Sequence, residues 1–167
     1  MSEIGDKIQE KCLAFSDRII KLNDYLLEQA SQKYDGGSKR YDVRKGKSSF
    51  SHQTSNLSQP SSFRHPTSRV PVYLQSVSNL CNQLLRSGTS IGANNAEACN
   101  AISRQDFRSK SYIALKEARE SLYWIELLHR NSYLTDEQFS SIYADAEELV
   151  KILVARCKKL DQELAGK

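Results

Sequence analysis

The strongest constraint on the fold is a helical repeat of side chains that runs from Leu74 to Ile102 without a break. Its positions are separated alternately by three and four residues, which places them on one face of an α-helix. They are Leu74, Val77, Cys81, Leu84, Gly88, Ile91, Asn95, Ala98 and Ile102. Inside a helix, Gly88 and its neighbour Gly92 each cost about 1 kcal/mol relative to alanine. That cost is recovered when another backbone packs closely, so the sequence predicts one long helix with a tight helix contact.

Asn95 is the polar side chain on this otherwise apolar face. A lone polar residue at such a position can fix register or oligomeric state at a cost in stability. The alternative is a hydrogen-bonded or half-exposed asparagine with no such role.

A second helix pattern covers residues 4–31, where apolar residues recur every three or four positions. Beside this stripe, Leu13, Ile20 and Leu27 form a second row with a spacing of seven. The apolar face is therefore wider than a two-helix seam needs. It predicts either a broad bundle core or a contact face for another subunit.

Two capping boxes predict where the last two helices begin. Ser103 to Asp106 opens a helix over 104–130, and Thr135 to Gln138 opens one over 136–164. Small residues line the inner face of the third helix and are expected to receive the glycines of the helix at 71–102; they are Ser111, Ala114, Ala118 and Ser121. Four helices with two short connections predict an all-α, antiparallel up-down four-helix bundle. With 167 residues, the chain is expected to be a single domain over 1–167.

The segment 33–70 differs in composition from the predicted helices. It contains nine serines, eight Lys or Arg and two Asp, which gives a charge of +6 and leaves −2 for the rest of the chain. With few apolar residues, it is expected to be a disordered loop. The alternative is a basic arm that becomes ordered on nucleic acid or on an acidic partner. Its candidate phosphate contacts are Lys39, Arg40, Arg44, Lys45, Lys47, Arg64 and Arg69.

The motifs of common enzyme classes are absent, so no catalytic residue, metal or cofactor is predicted. One Glu-x-x-His pair, Glu126 and His129, fits half of a di-iron motif, but that site needs a second such pair and further carboxylates. No apolar run reaches the roughly 20 residues of a membrane span, and no signal peptide is visible. The four scattered cysteines suit a reduced, cytoplasmic protein.

Charged and amide side chains on the second and third helices form the remaining candidate site. Lys116 and Glu120 are four residues apart and can form an ion pair along one helix face. The simple interpretation is a solvated face. The alternative is a polar network that positions a subunit contact and includes Arg86, Asn94 and Glu97.

In its motifs the chain resembles a family of small bacterial four-helix-bundle proteins, encoded in intervening sequences of large-subunit ribosomal RNA genes and elsewhere in bacterial genomes. The resemblance covers 71–160 closely and 4–31 more loosely. The segments that carry it are Gln83–Asn94, Ala96–Ala98, Asp106–Lys110, Ile113–Glu120, Tyr123–Trp124 and Glu147–Leu153. The chain departs from the family pattern at Asn95, usually apolar, and in the long segment 33–70, usually short.

The resemblance implies a ring-like homopentamer without catalytic residues. A related branch of the family consists of accessory proteins of diversity-generating retroelements, which bind nucleic acid and a reverse transcriptase. We therefore expect a non-enzymatic oligomer that binds nucleic acid, RNA in particular, or an enzyme that acts on nucleic acid. The alternative is a protein-interaction scaffold without nucleic-acid contact.

Overall fold

The computed structural model describes residues 3–35 and 72–166, with side chains for 7–32 and 74–166. These residues form four α-helices: α1 (Glu3–Asp35), α2 (Val72–Cys99), α3 (Arg104–Arg130) and α4 (Asp136–Ala165). Each helix packs against the next along the chain, and α1 makes a smaller contact with α4. The predicted all-α, up-down bundle is confirmed.

The core lies along the apolar stripes that the sequence predicts. Phe15 and Ile19 of α1 are buried against Ile91 of α2, Ile125 of α3 and Leu153 of α4 in one cluster. Three of the four cysteines belong to the same cluster and are free thiols; they are Cys12, Cys81 and Cys157. The cysteines therefore act as small apolar side chains in the core.

The C-terminal end of α2 differs from the prediction. The helix ends at Cys99 rather than at Ile102, and the Ile102 side chain is 96% exposed. The N–H groups of Asn100 and Ala101 donate to carbonyls three residues earlier, those of Glu97 and Ala98. This tightening stops the helix, because the chain must reverse direction before α3.

The two predicted capping boxes have different outcomes. Thr135 and Gln138 form the full reciprocal box, with bonds of 3.2 and 3.0 Å. At α3, Ser103 accepts from the N–H of Asp106 over 3.1 Å, but the Asp106 carboxylate accepts from the N–H of Ile102 instead of that of Ser103. Only half of that box forms.

Candidate functional site

The two glycines of α2 make close contacts with α1. A Cβ built on Gly88 would lie 3.1 Å from Cγ1 of Ile19, and one built on Gly92 would lie 3.3 Å from Cβ of Cys12. The expectation that α3 receives these glycines is therefore wrong. Gly88 and Gly92 lie one turn apart on the side of α2 that faces α1.

The small residues of α3 pack against other positions of α2. Ser111, Ala114, Ala118 and Ser121 are all completely buried. The Oγ of Ser121 lies 3.0 Å from the Oγ of Ser87, which precedes Gly88 and is rotated about 100° around the helix from it. Small side chains thus bring α2 close to both of its neighbours: glycines on the α1 side, and serines on the α3 side.

Asn95 is fully buried and bonded at both ends of its amide. Its Nδ2 donates to Oε1 of Gln9 on α1 over 2.6 Å, and its Oδ1 accepts from a guanidinium nitrogen of Arg156 on α4 over 2.6 Å. The amide is thus hydrogen-bonded, as in the simpler of the two interpretations, and the contacts join three helices of one chain.

Sequence reasoning missed Gln9 and Arg156 as partners of Asn95. A signal for Arg156 was present, because it continues the three-and-four spacing of Leu149, Leu153 and Leu160 on α4. Burial lowers the pKa of this guanidinium from its ordinary value. Its charge lies 5.5 Å from the centre of the Phe107 ring, a cation–π distance.

The five residues on α2 and α3 that were predicted as a polar network do not bond to one another. Asn94 donates to the Ser90 carbonyl of its own helix over 2.8 Å, Glu97 pairs with Lys110 of α3, and Glu120 accepts from the indole of Trp124 over 3.0 Å. Arg86 and Lys116 are exposed. The five candidates are Arg86, Asn94, Glu97, Lys116 and Glu120. In the described helices, no hydrogen bond or ion pair connects any of these five residues to another of them.

The pKa of Glu117 on α3 is affected by the charge of Arg86 on α2. Its pKa is raised by burial and by the neighbouring charge of Glu120, while the positive charge of Arg86 opposes the rise. The charge of Arg86 thus acts on a carboxylate of α3 that the sequence patterns did not indicate.

The second apolar row of α1 lies on the surface. Leu13 is 57% exposed and Ile20 is 43% exposed, while Leu27 is partly buried. On α3, the Tyr123 side chain is also 57% exposed. The alternative that the row widens the bundle core is wrong for Leu13 and Ile20, since the core is filled by the neighbouring stripe.

The predicted phosphate contacts all lie outside the described residues, between 36 and 71; they are Lys39, Arg40, Arg44, Lys45, Lys47, Arg64 and Arg69.

The two residues of the Glu-x-x-His pair have other partners: Glu126 pairs with Arg130 over 2.5 Å, and His129 lies 2.8 Å from Asp136 and stacks on Phe139. Among residues 3–35 and 72–166, no group of three or more His, Cys, Asp or Glu could hold a metal ion. Within the same residues, no helix has the length and apolar character that crossing a membrane requires.

Comparisons with known proteins find a matching family and a similar solved structure. Residues 72–155 match the family described as 23S rRNA-intervening sequence protein. A crystal structure from Bacteroides thetaiotaomicron, of a protein of unknown function from the S23 ribosomal protein family, is 33% identical in sequence. The match covers 93% of this chain and 98% of that one, with a TM-score of 0.58. No curated protein matches the chain.

The matched range contains the glycines of α2, the buried Asn95 and the small inner face of α3. By this match and by the similarity to the crystal structure, the chain belongs to the 23S rRNA-intervening sequence protein family.

Proposed function

We propose that this protein is a non-enzymatic, homo-oligomeric helical bundle that binds nucleic acid, with RNA as the favoured ligand. The observation that carries the proposal is the charge distribution of a chain in a family named for a ribosomal RNA intervening sequence. The segment 33–70 carries +6, and the remainder of the chain carries −2. A cationic segment of this kind binds phosphates without sequence preference.

The buried polar groups of the bundle support a structural rather than a catalytic role for the helices. Asn95 bonds Gln9 and Arg156, and Ser87 contacts Ser121. Each contact holds two helices together. The helices would therefore act as a scaffold that presents the basic segment and the outer surfaces of the bundle.

The exposed row on α1 supports assembly into an oligomer. Leu13 and Ile20 are separated by seven residues on one side of the helix, and each is about half exposed. Exposed apolar rows of this kind mark contact surfaces between proteins. A homopentamer, as the family resemblance implies, would cover this row.

Filter binding of single-stranded RNA tests the nucleic-acid part of the proposal. The full chain is compared with a variant in which residues 36–68 are replaced by a Gly-Ser linker of equal length. We expect the variant to bind more weakly, and its salt slope to fall by about 0.7 for each phosphate that it no longer neutralises. A matched control, Lys151→Gln, removes one exposed charge of α4 and should leave the slope nearly unchanged. Equal affinity and equal slope for chain and linker variant would overturn the role of the segment.

A second function, a protein-interaction scaffold, is favoured by the exposed apolar side chains Leu13 and Tyr123. An enzyme that acts on nucleic acid, such as a reverse transcriptase, is one partner that both functions would allow. A pull-down with tagged protein, with and without nuclease, separates the two. A partner retained after nuclease treatment, together with no RNA binding in the filter assay, would favour the scaffold.

A further inference from the structure

A cleft of about 870 Å³ opens at the end of the bundle where α2 stops and α3 begins. Ile8 of α1, Phe107 of α3 and Ile152 of α4 contribute apolar wall surface, and Ile102 stands at the turn. The volume is within the range of sites that enclose small ligands. Neither Gly88 nor Gly92 lines this cleft.

Arg156 is a partly buried charged group in this wall, and it has no carboxylate partner among the described residues. Three other arginines that bridge helices each hold one: Arg18 pairs with Asp145, Arg104 with Glu163, and Arg108 with Asp161. Arg156 is the exception, although burial already disfavours its charge. Its bonded protein acceptor is the neutral Oδ1 of Asn95. A partly buried cation of this kind is usually paired with an anion.

Two features of the rim point to an anionic ligand with an apolar body. Lys159 adds a second positive charge to the lining, while Arg104 is neutralised by Glu163. Ile102, 96% exposed, gives the rim an apolar side chain that no part of the described chain covers. The remaining wall offers few groups that could bond a polar base or sugar, so an apolar body fits it better.

We propose that this cleft binds a small amphipathic carboxylate, with the carboxylate on Arg156 and the apolar body between Ile8, Phe107 and Ile152. A planar guanidinium matches a carboxylate with two parallel hydrogen bonds. Ile102 then packs over the bound body and loses its exposure. The site extends beyond the proposed RNA function and does not depend on it.

Calorimetric titration of the full chain with octanoate, 1-octanol and octylammonium tests the site, since the three probes share the alkyl body and differ in the head. We expect one octanoate per chain, with binding at least tenfold tighter than that of the other two probes. Amide chemical shifts should change at Ala101, Ile102 and Phe107. Equal binding of octanoate and 1-octanol, no octanoate binding, or shift changes elsewhere in the bundle would overturn the proposal.

Two variants keep the test informative. Arg156→Gln should weaken octanoate binding at least tenfold, but it also removes a donor to the buried Asn95. Ile102→Glu places a negative charge at the rim on an exposed side chain, so it should weaken octanoate while leaving the fold intact. The matched control Lys158→Gln, an exposed position of α4, should bind octanoate as the parent chain does. If Ile102→Glu also binds like the parent, the proposed site is wrong, whatever the RNA assay shows.

Discussion

Arg156 on α4 donates a hydrogen bond of 2.6 Å to the side-chain oxygen of Asn95, a completely buried residue on α2. Asn95 in turn donates to Gln9 on α1. A polar chain therefore crosses the bundle where the helical repeat would place an apolar side chain. Once such groups are buried together, removing one leaves the others without partners.

Asn95→Ala should lower the free energy of unfolding by about 1–3 kcal/mol, because Gln9 and Arg156 are both left without a bonded partner. Urea denaturation measures the change. The adjacent control Asn94→Ala should cost less, since the Asn94 amide bonds only the Ser90 carbonyl of its own helix. Equal destabilisation by the two substitutions would mean that the polar chain contributes nothing specific.

Gly92→Ala tests the close contact of α2 with α1. Helix propensity alone would make this change stabilising by about 1 kcal/mol. We expect it to destabilise the protein instead, because the added methyl would lie 3.3 Å from Cβ of Cys12, an atom fixed to the α1 backbone. Thermal unfolding decides the sign.

Ala93→Gly provides the control for that substitution, since residue 93 is exposed on the same helix. It should cost about 1 kcal/mol through propensity only. A Gly92→Ala variant that is more stable than the parent chain would show that α1 does not pack closely on this glycine.

The Asp161 carboxylate should contribute to the free energy of unfolding at neutral pH, and this contribution should be lost in acid. The hydroxyl of Tyr112 and the guanidinium of Arg108 bond its carboxylate and hold its pKa below the ordinary 3.8. Because the folded pKa is depressed, this contribution is present above pH 3.8 and is lost as the pH falls through the folded value.

Asp161→Asn is therefore expected to be less stable than the parent chain at neutral pH, with a difference that shrinks in acid below the ordinary carboxyl pKa. Urea unfolding across a pH series measures both. Asp17→Asn, at an exposed carboxylate on α1, is the matched control and should be about as stable as the parent chain at neutral pH. A constant difference for Asp161→Asn would contradict the predicted linkage.

The cysteines should differ in reactivity. Burial raises the pKa of Cys12 and of Cys81 to about 11 and also raises that of Cys157, whereas Cys99 is partly exposed. Since the thiolate is the reactive form, Ellman's reagent at pH 8 should label one thiol quickly in the native protein. Cys99→Ser should remove this fast phase. Two or more fast thiols in the native chain would contradict the burial of the other three.

The helices and the core follow from the sequence because periodicity and caps are local signals. The Thr135 box and the stripe through Phe15 and Ile19 could be identified by spacing alone. The helix that packs against the glycines could not be identified in this way, since it depends on which side of α2 faces α1. Ile102 fits the repeat but lies past the helix end, because chain reversal outweighs periodicity there.

The site was predictable only in part. Asn95 could be singled out by its place on an apolar face, but Gln9 and Arg156 lie 86 and 61 residues away in sequence. Contacts across that separation are set by how the helices pack together. The basic segment 33–70 was identified by its composition. Its proposed role depends on what it binds, which the packing of the helices does not determine.

The central proposal is tested most directly by the mass of the protein in solution. This mass is measured by light scattering after gel filtration, with and without single-stranded RNA. The chain has a mass of 18.9 kDa. We predict a particle of five chains that gains the mass of bound RNA at low salt and releases it at high salt. A particle of one chain, with a mass that RNA does not change, would contradict the account.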